Sequence, residues 1–212
     1  MHRYLKLGAL IAGTLLVACG LTESGPRVAR IERIDVAPAR LSLLPFQAAD
    51  LTLVVTMSRD DINAIASLQW HATGGAITNN YIVNGLRHIT YQAPAQAGNY
   101  LFIVTTVNGW PADTARIAVT TTPVPVNVVT VSPATVNLVV GDTTTLRTAL
   151  TDSTGSALFG RPIEWTSTDA GVALVLATGF VRAMAAGTVT ITATTEGRSG
   201  TAVVTVLPAP TP

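Results

Sequence analysis

The sequence predicts an all-β chain of two β-sandwich domains in tandem behind a cleaved leader. Three observations predict it. Hydrophobic residues make up 48% and charged residues 12% of the 212, a balance that suits half-buried and buried strands and excludes a disordered chain. Two stretches share one grammar, IDVAPARLSL at 34–43 and VTVSPATVNL at 129–138. Pro38 and Pro133 stand 95 residues apart, as do Trp70 and Trp165. Beyond the first 18 residues no stretch carries helical periodicity of useful length.

The leader comes first in chain order. His2, Arg3 and Lys6 form a basic start, Leu7 to Val17 an apolar run, and Ala18 a small residue at its end, so residues 1–18 read as a signal peptide. The run is shorter than the about 20 residues needed to span a bilayer. Leu16-Val17-Ala18-Cys19 resembles a bacterial lipobox. The resemblance implies that Cys19, the only cysteine, becomes the first mature residue, carries a diacylglyceryl thioether, and is then acylated, with palmitate as the test label, on its new amino group. Gly20 follows, where the family's inner-membrane proteins commonly carry Asp, which implies the outer membrane. Ordinary cleavage after Gly20, with Cys19 discarded, is the alternative. Loss of residues 1–18 takes Arg3 and Lys6 from the 13 basic residues, leaving 11 against 12 acidic ones. A nearly neutral chain carries no nucleic-acid footprint.

After a tether at 19–27, the first domain is expected at 28–122. Leu51, Leu53 and Val55 alternate with polar residues and lead through a turn to Trp70, and the period-two run NYLFIVTTV and closing strand ARIAVT follow. Asn108-Gly109 suits a tight hairpin between them, because the glycine takes positive φ without a Cβ clash. Trp70 to Gly98 spans 28 residues, whereas Trp165 to Gly187 in the second copy spans 22. The six extra residues near NNYIVNGLRH are expected to protrude as a loop. Pro123 and Pro125 then stiffen a linker at 123–127. The second domain, expected at 128–207, repeats the pattern with Thr144, Leu146, Thr148 and Leu150, then Trp165, TVTITATT, a Glu196-Gly197 hairpin and TAVVTV. Residues 208–212 form an extended tail. Short strands, frequent turns, and a tryptophan on the third strand of each unit point to sandwiches of immunoglobulin type.

The second unit resembles the bacterial Ig-like domain group two of intimin- and invasin-type adhesins, through Pro133, Gly141-Asp142, Gly155, Trp165-Thr166-Ser167, Gly179, Gly187, Ile191 and Gly197. It departs at DAGVALV, where the family more often has Pro and Thr at the places of Ala170 and Leu174. The first unit is similar to a broader bacterial Ig-like or PKD-like module, in WHATGG, ITYQAP and GNYLF. There Gly98 and Tyr100 stand where a tyrosine corner falls, and Phe102 where antibody domains place a disulfide cysteine. With no cysteine pair, the sheets are held by apolar packing. These resemblances imply a lipid-anchored envelope protein that works by adhesion, protein contact or scaffolding, without enzymatic activity and without a cofactor.

The residues agree on catalysis. The chain has no Gly-x-Ser-x-Gly elbow, no His-Glu-x-x-His pair and no phosphate-binding glycine loop. His71 and His88, the two mature histidines, read as surface residues. Asp60-Asp61 lacks the Asp-x-Asp spacing of a calcium loop, so no metal site is expected. Lys6 is the only lysine, which rules out intramolecular lysine isopeptide bonds in the mature chain. The ligand candidates are loop aromatics, whose faces stack on sugars or anchor protein contacts: Trp110 first, then Tyr81, and Phe159 beside Arg161. The partners expected are a membrane through the N-terminal lipid and a protein or polysaccharide at the cell surface. A carbohydrate-binding accessory module is the alternative function.

Overall fold

The computed structural model describes residues 31–57 and 68–210. Cys19, its tether, and the Asp60-Asp61 pair lie outside them. All regular structure among the described residues is β, and no described helix is long and apolar enough to cross a membrane.

The first sandwich packs two four-stranded layers. One holds β1 (Ile31–Ala37), β3 (Ala48–Met57), β6 (Leu86–Gln92) and β5 (Ala76–Val83), in that order. The other holds β4 (Leu68–Ala72), β7 (Gly98–Thr106), β8 (Ala112–Val119) and β2 (Arg40–Leu43). Alternation does what the sequence requires of it: Leu51 and Leu53 are fully buried, Thr52 between them is half-buried, and Asp50 and Val54 on either side are exposed. Chain 31–43 serves both layers, pairing with β3 up to Ala37 and with β8 from Arg40. Pro38 sits in the switch, where no ladder hydrogen bond is required of it. Tyr91, Phe102, Leu41, Ile89 and Ile117 fill the core, with Trp70 packed against it. Phe102 is fully buried there, and the Tyr100 hydroxyl donates to the Gln96 carbonyl at 3.0 Å, four residues upstream.

The extra residues of the first unit form no loop. They lengthen β5 and β6 into an antiparallel hairpin closed by Asn84 and Gly85, at φ 51° and 78°. Both positive angles are those of a two-residue turn whose twist matches the strands it joins. The Asn-Gly dipeptide is its sequence signature.

The second sandwich is built from β9 (Val128–Ser132), β10 (Thr135–Val139), β11 (Thr143–Thr145), β12 (Arg147–Thr151), β13 (Ala157–Leu158), β14 (Glu164–Ser167), β15 (Ala173–Val175), β16 (Phe180–Ala183), β17 (Gly187–Thr195) and β18 (Arg198–Leu207). One layer runs β10-β18-β17-β14, with β10 parallel to β18. Leu146, Val181, Ile191, Ala193 and Val204 centre its core, against which Trp165 packs.

The two sandwiches share a sheet. The short strand β13 pairs on one side with β12 and on the other, in parallel, with β2, through Ala157–Leu41 and Leu158–Ser42. The result is one seven-stranded sheet, β4-β7-β8-β2-β13-β12-β9, crossing the boundary. The stiffness that the sequence assigns to linker prolines therefore has a second source in main-chain pairing. The linker is itself docked: Val126 is buried in the second core and Val124 packs beside it.

Register fixes where the chain enters and leaves. Val36 lies opposite Leu53, Leu53 opposite Arg87, and the Val36 amide donates to Asp113 at 2.7 Å, so the two layers are level there. From that level Ile31, Met57, the 84–85 turn and Trp110 all lie toward one pole. Gln47, Leu43 and Val119 lie toward the joint. In the second sandwich β18 runs away from the joint, placing Leu207 at the opposite pole.

Candidate functional site

The sequence candidates separate into three places. Tyr81 stands on β5, the edge of its sheet, and stacks on His88 across the ladder with ring centroids 5.3 Å apart and planes 14° from parallel. Its hydroxyl reaches Asp50 at 3.4 Å, and Asp50 also accepts from Thr90 at 2.6 Å. Partial desolvation and then the Asp50 charge hold the Tyr81 phenol above its ordinary pKa. On the other face of this hairpin the Arg87 guanidinium lies 5.5 Å from the Trp70 ring centroid and donates to Asn80 at 2.7 Å.

Trp110 sits at the tip of the β7–β8 hairpin, 79% exposed, with Val107, three residues before it, at 60%. Its backbone is held while its ring is free: the Trp110 carbonyl accepts from the Thr106 hydroxyl at 2.8 Å and Pro111 is buried. Gly109, at φ 81°, makes the turn. Tyr81 and Trp110 belong to different layers of one domain.

Phe159 and Arg161 stand at the joint. Phe159 packs against the core of the first sandwich, and its carbonyl accepts from Gln47 Nε2 at 2.6 Å. Arg161 donates to the Val124 carbonyl at 2.8 Å and lies 3.3 Å from Glu196, whose other oxygen accepts from the Val126 amide at 2.9 Å. The pair thereby ties the linker to the β17–β18 hairpin. Aromatic and arginine are engaged within the chain. His71 is exposed on the face opposite Trp70, as strand alternation requires.

One feature at the joint escapes sequence reasoning. Arg40 and Arg116 are register partners on the parallel pair β2–β8, so their side chains leave the same face of the sheet. They line an open cleft of about 440 Å³ with Asn99, Tyr100 and Ser156 of the second sandwich. Among the described residues neither arginine has a carboxylate partner, which suits the cleft to an anionic group. Two arginines 76 positions apart give no local signal. Among the described residues no three His, Cys, Asp or Glu side chains group to hold a metal.

Residues 125–206 match the family model of the bacterial Ig-like domain (group 2). No curated protein matches the chain. Among solved structures, domains 5–6 of the S-layer protein SbsC are similar at 15% identity and a TM-score of 0.51, over 86% of this chain and all of that one. InvD of Yersinia pseudotuberculosis is 18% identical over 84% of this chain and 60% of its own, with a TM-score of 0.33. A C-terminal 282-residue fragment of intimin, in complex with the intimin-binding domain of the translocated intimin receptor, is 14% identical over 83% and 64%, with a TM-score of 0.31. At these identities the likeness is one of fold, and of the three only the SbsC pair carries it.

Proposed function

We propose that the chain is a non-enzymatic, lipid-anchored arm of the bacterial cell envelope, which acts by contact in surface adhesion, protein binding or scaffolding. The observation that carries this reading is the sheet shared by the two sandwiches, with Ile31 and Leu207 at opposite poles. Such a molecule transmits position. A hinge would need the β2–β13 pairing to open, and the linker ties through Arg161 and Glu196 oppose that. The group-two family match over 125–206 supports the same reading. Lipid on Cys19 supplies the fixed end, since each buried methylene contributes about 0.8 kcal/mol and several acyl chains hold where one does not.

Palmitate labelling of cells making the wild-type chain or Cys19→Ser tests the anchor: label should appear only in the first, and equal label rejects it. Protease treatment of intact cells tests the surface role. Both domains should be removed while a periplasmic marker survives, and adhesion of the cells should fall several-fold with them; unchanged adhesion rejects contact as the function. The exposed ring of Trp110 favours one competing reading, carbohydrate recognition. Saturable glycan binding that is lost in Trp110→Ala would select it.

A further inference from the structure

We infer that the pole at which the chain enters the first sandwich is a lipid-contact surface, on which Trp110 and a short apolar row of the β3–β6–β5 sheet dip into the bilayer that holds Cys19. The inference rests on the anchoring proposed above. Three observations carry it.

The outer face of that sheet changes character toward the pole. Farthest from it the register brings together Ala48, Gln92 and Ala76, followed by Asp50, Thr90 and Asn79, all polar, and then by Thr52, His88 and Tyr81. One step beyond the Leu53–Arg87 pair come Val54, Leu86 and Val83, exposed by 41%, 39% and 45%, with Asp35 of β1 beside Val54 at the end of the row and the Arg33–Thr56 pair beyond it. On the β6–β5 side of the sheet the tyrosine row is thus followed toward the pole by an aliphatic pair, the order in which a surface approaching a bilayer sets aromatic anchors above apolar contact.

The same pole carries Trp110, the most exposed large apolar side chain among the described residues. An indole with an apolar body and one N–H donor is the side chain best matched to the headgroup zone. Among the described residues of this pole most charges are engaged. Asp35 is paired with Arg33, and Asp113 accepts from the Val36 amide. Among the described residues Glu32 is the carboxylate of β1 without a cationic partner.

The lipid-bearing residue is close by construction. Twelve residue steps separate Cys19 from Ile31, and whatever their conformation they reach at most about 43 Å. Of the two poles, therefore, this one is kept near the membrane.

The test uses the full-length lipoprotein in vesicles of phosphatidylethanolamine and phosphatidylglycerol, with and without brominated acyl chains. The difference in emission between wild type and Trp110→Phe isolates the Trp110 signal from Trp70 and Trp165. That difference should be blue-shifted and mostly lost with brominated lipid, and replacing Val83 and Leu86 by Ser should restore it at least in part. A Trp110 signal that brominated lipid leaves intact while aqueous iodide quenches it overturns the inference. Flotation of wild type and Cys19→Ser reports separately on the anchor. If the two float alike, the anchoring reading fails; the chain from Cys19 onward, made without the leader, is then coupled through the Cys19 thiol to a maleimide lipid, and the same quenching comparison decides the pole by itself.

Discussion

The Ser42 hydroxyl donates to Asp152 Oδ2 at 3.1 Å, bridging 110 positions of sequence and the boundary between the sandwiches. Asp152 is buried, and its second oxygen accepts from the Thr154 amide and hydroxyl at 2.7 Å each and from the Ser156 amide at 3.0 Å. The carboxylate shapes the turn that presents β13 to β2, and the same carboxylate fastens the result. Turn and joint are therefore one device.

Asp152→Ala should cost about 1–3 kcal/mol, because it strands amide donors of a buried turn. The wild-type stability should also depend on acid. Desolvation pushes the Asp152 pKa upward, but hydrogen bonds from Thr154, Ser156 and Ser42 outweigh it and hold the group below its ordinary value. The unfolded chain therefore binds the proton first on acidification, so the contribution is complete above the ordinary Asp range and is lost as pH falls through the depressed folded value. Urea midpoints at pH 7 and pH 3 should converge for wild type and Asp152→Ala; a gap that persists unchanged at low pH contradicts the assignment.

The joint makes a prediction about motion. Gln47 accepts from the Leu44 amide at 2.8 Å through Oε1 while Nε2 reaches Phe159, which holds β2 and the 159–160 turn in contact. Amide relaxation should give the two sandwiches one shared correlation time in wild type. In Gln47→Ala the two values should diverge, with each domain still folded. Separate values already present in wild type would refute a stiff arm.

What the sequence made legible was what local period and turn chemistry encode. Alternation at Leu51–Leu53 and the placement of Trp70 and Trp165 against the cores needed only neighbouring residues to read. The joint did not. Strand β13 is two residues long and pairs with a strand more than 110 positions away, and parallel neighbours leave no hairpin signal. Phe159 stands out in sequence as a loop aromatic beside Arg161, yet its surroundings come from the other domain. The Asn84-Gly85 turn was present as a dipeptide, but its flanks, exposed along nearly all of β5, lack the alternation by which a half-buried strand declares itself.

Tyr91 links the first core to alkaline pH. Its ring is fully buried and its hydroxyl donates to the Gly74 carbonyl at 2.8 Å. Burial, with a smaller effect from Tyr100, pushes its pKa up to about 12. The unfolded chain releases this proton near pH 10, so stability is intact below that and falls between pH 10 and about 12. The loss over that interval should be on the order of 2 kcal/mol. Tyr91→Phe should be about 1 kcal/mol less stable at neutral pH and should show a flatter alkaline limb in urea titrations. An alkaline limb equal to wild type would assign the effect to another group.

Two glycines of like conformation separate backbone strain from crowding. Gly179 and Gly197 have φ of 79° and 74°. A Cβ on Gly197 meets open space, whereas one on Gly179 runs into the Leu146 carbonyl oxygen and comes within 3.1 Å of Trp165 Cζ2. Gly197→Ala should therefore cost about 1–2 kcal/mol, the expense of left-handed backbone alone. Gly179→Ala carries the same expense and must also displace main chain that is bonded, since the Leu146 amide donates to the Gly179 carbonyl at 2.8 Å. Its cost should be greater by about 1–3 kcal/mol, with a change in Trp165 fluorescence that Gly197→Ala lacks. Equal urea midpoints for the two variants would mean that the turn beneath Trp165 yields, and that close packing against Gly179 contributes nothing to the second core.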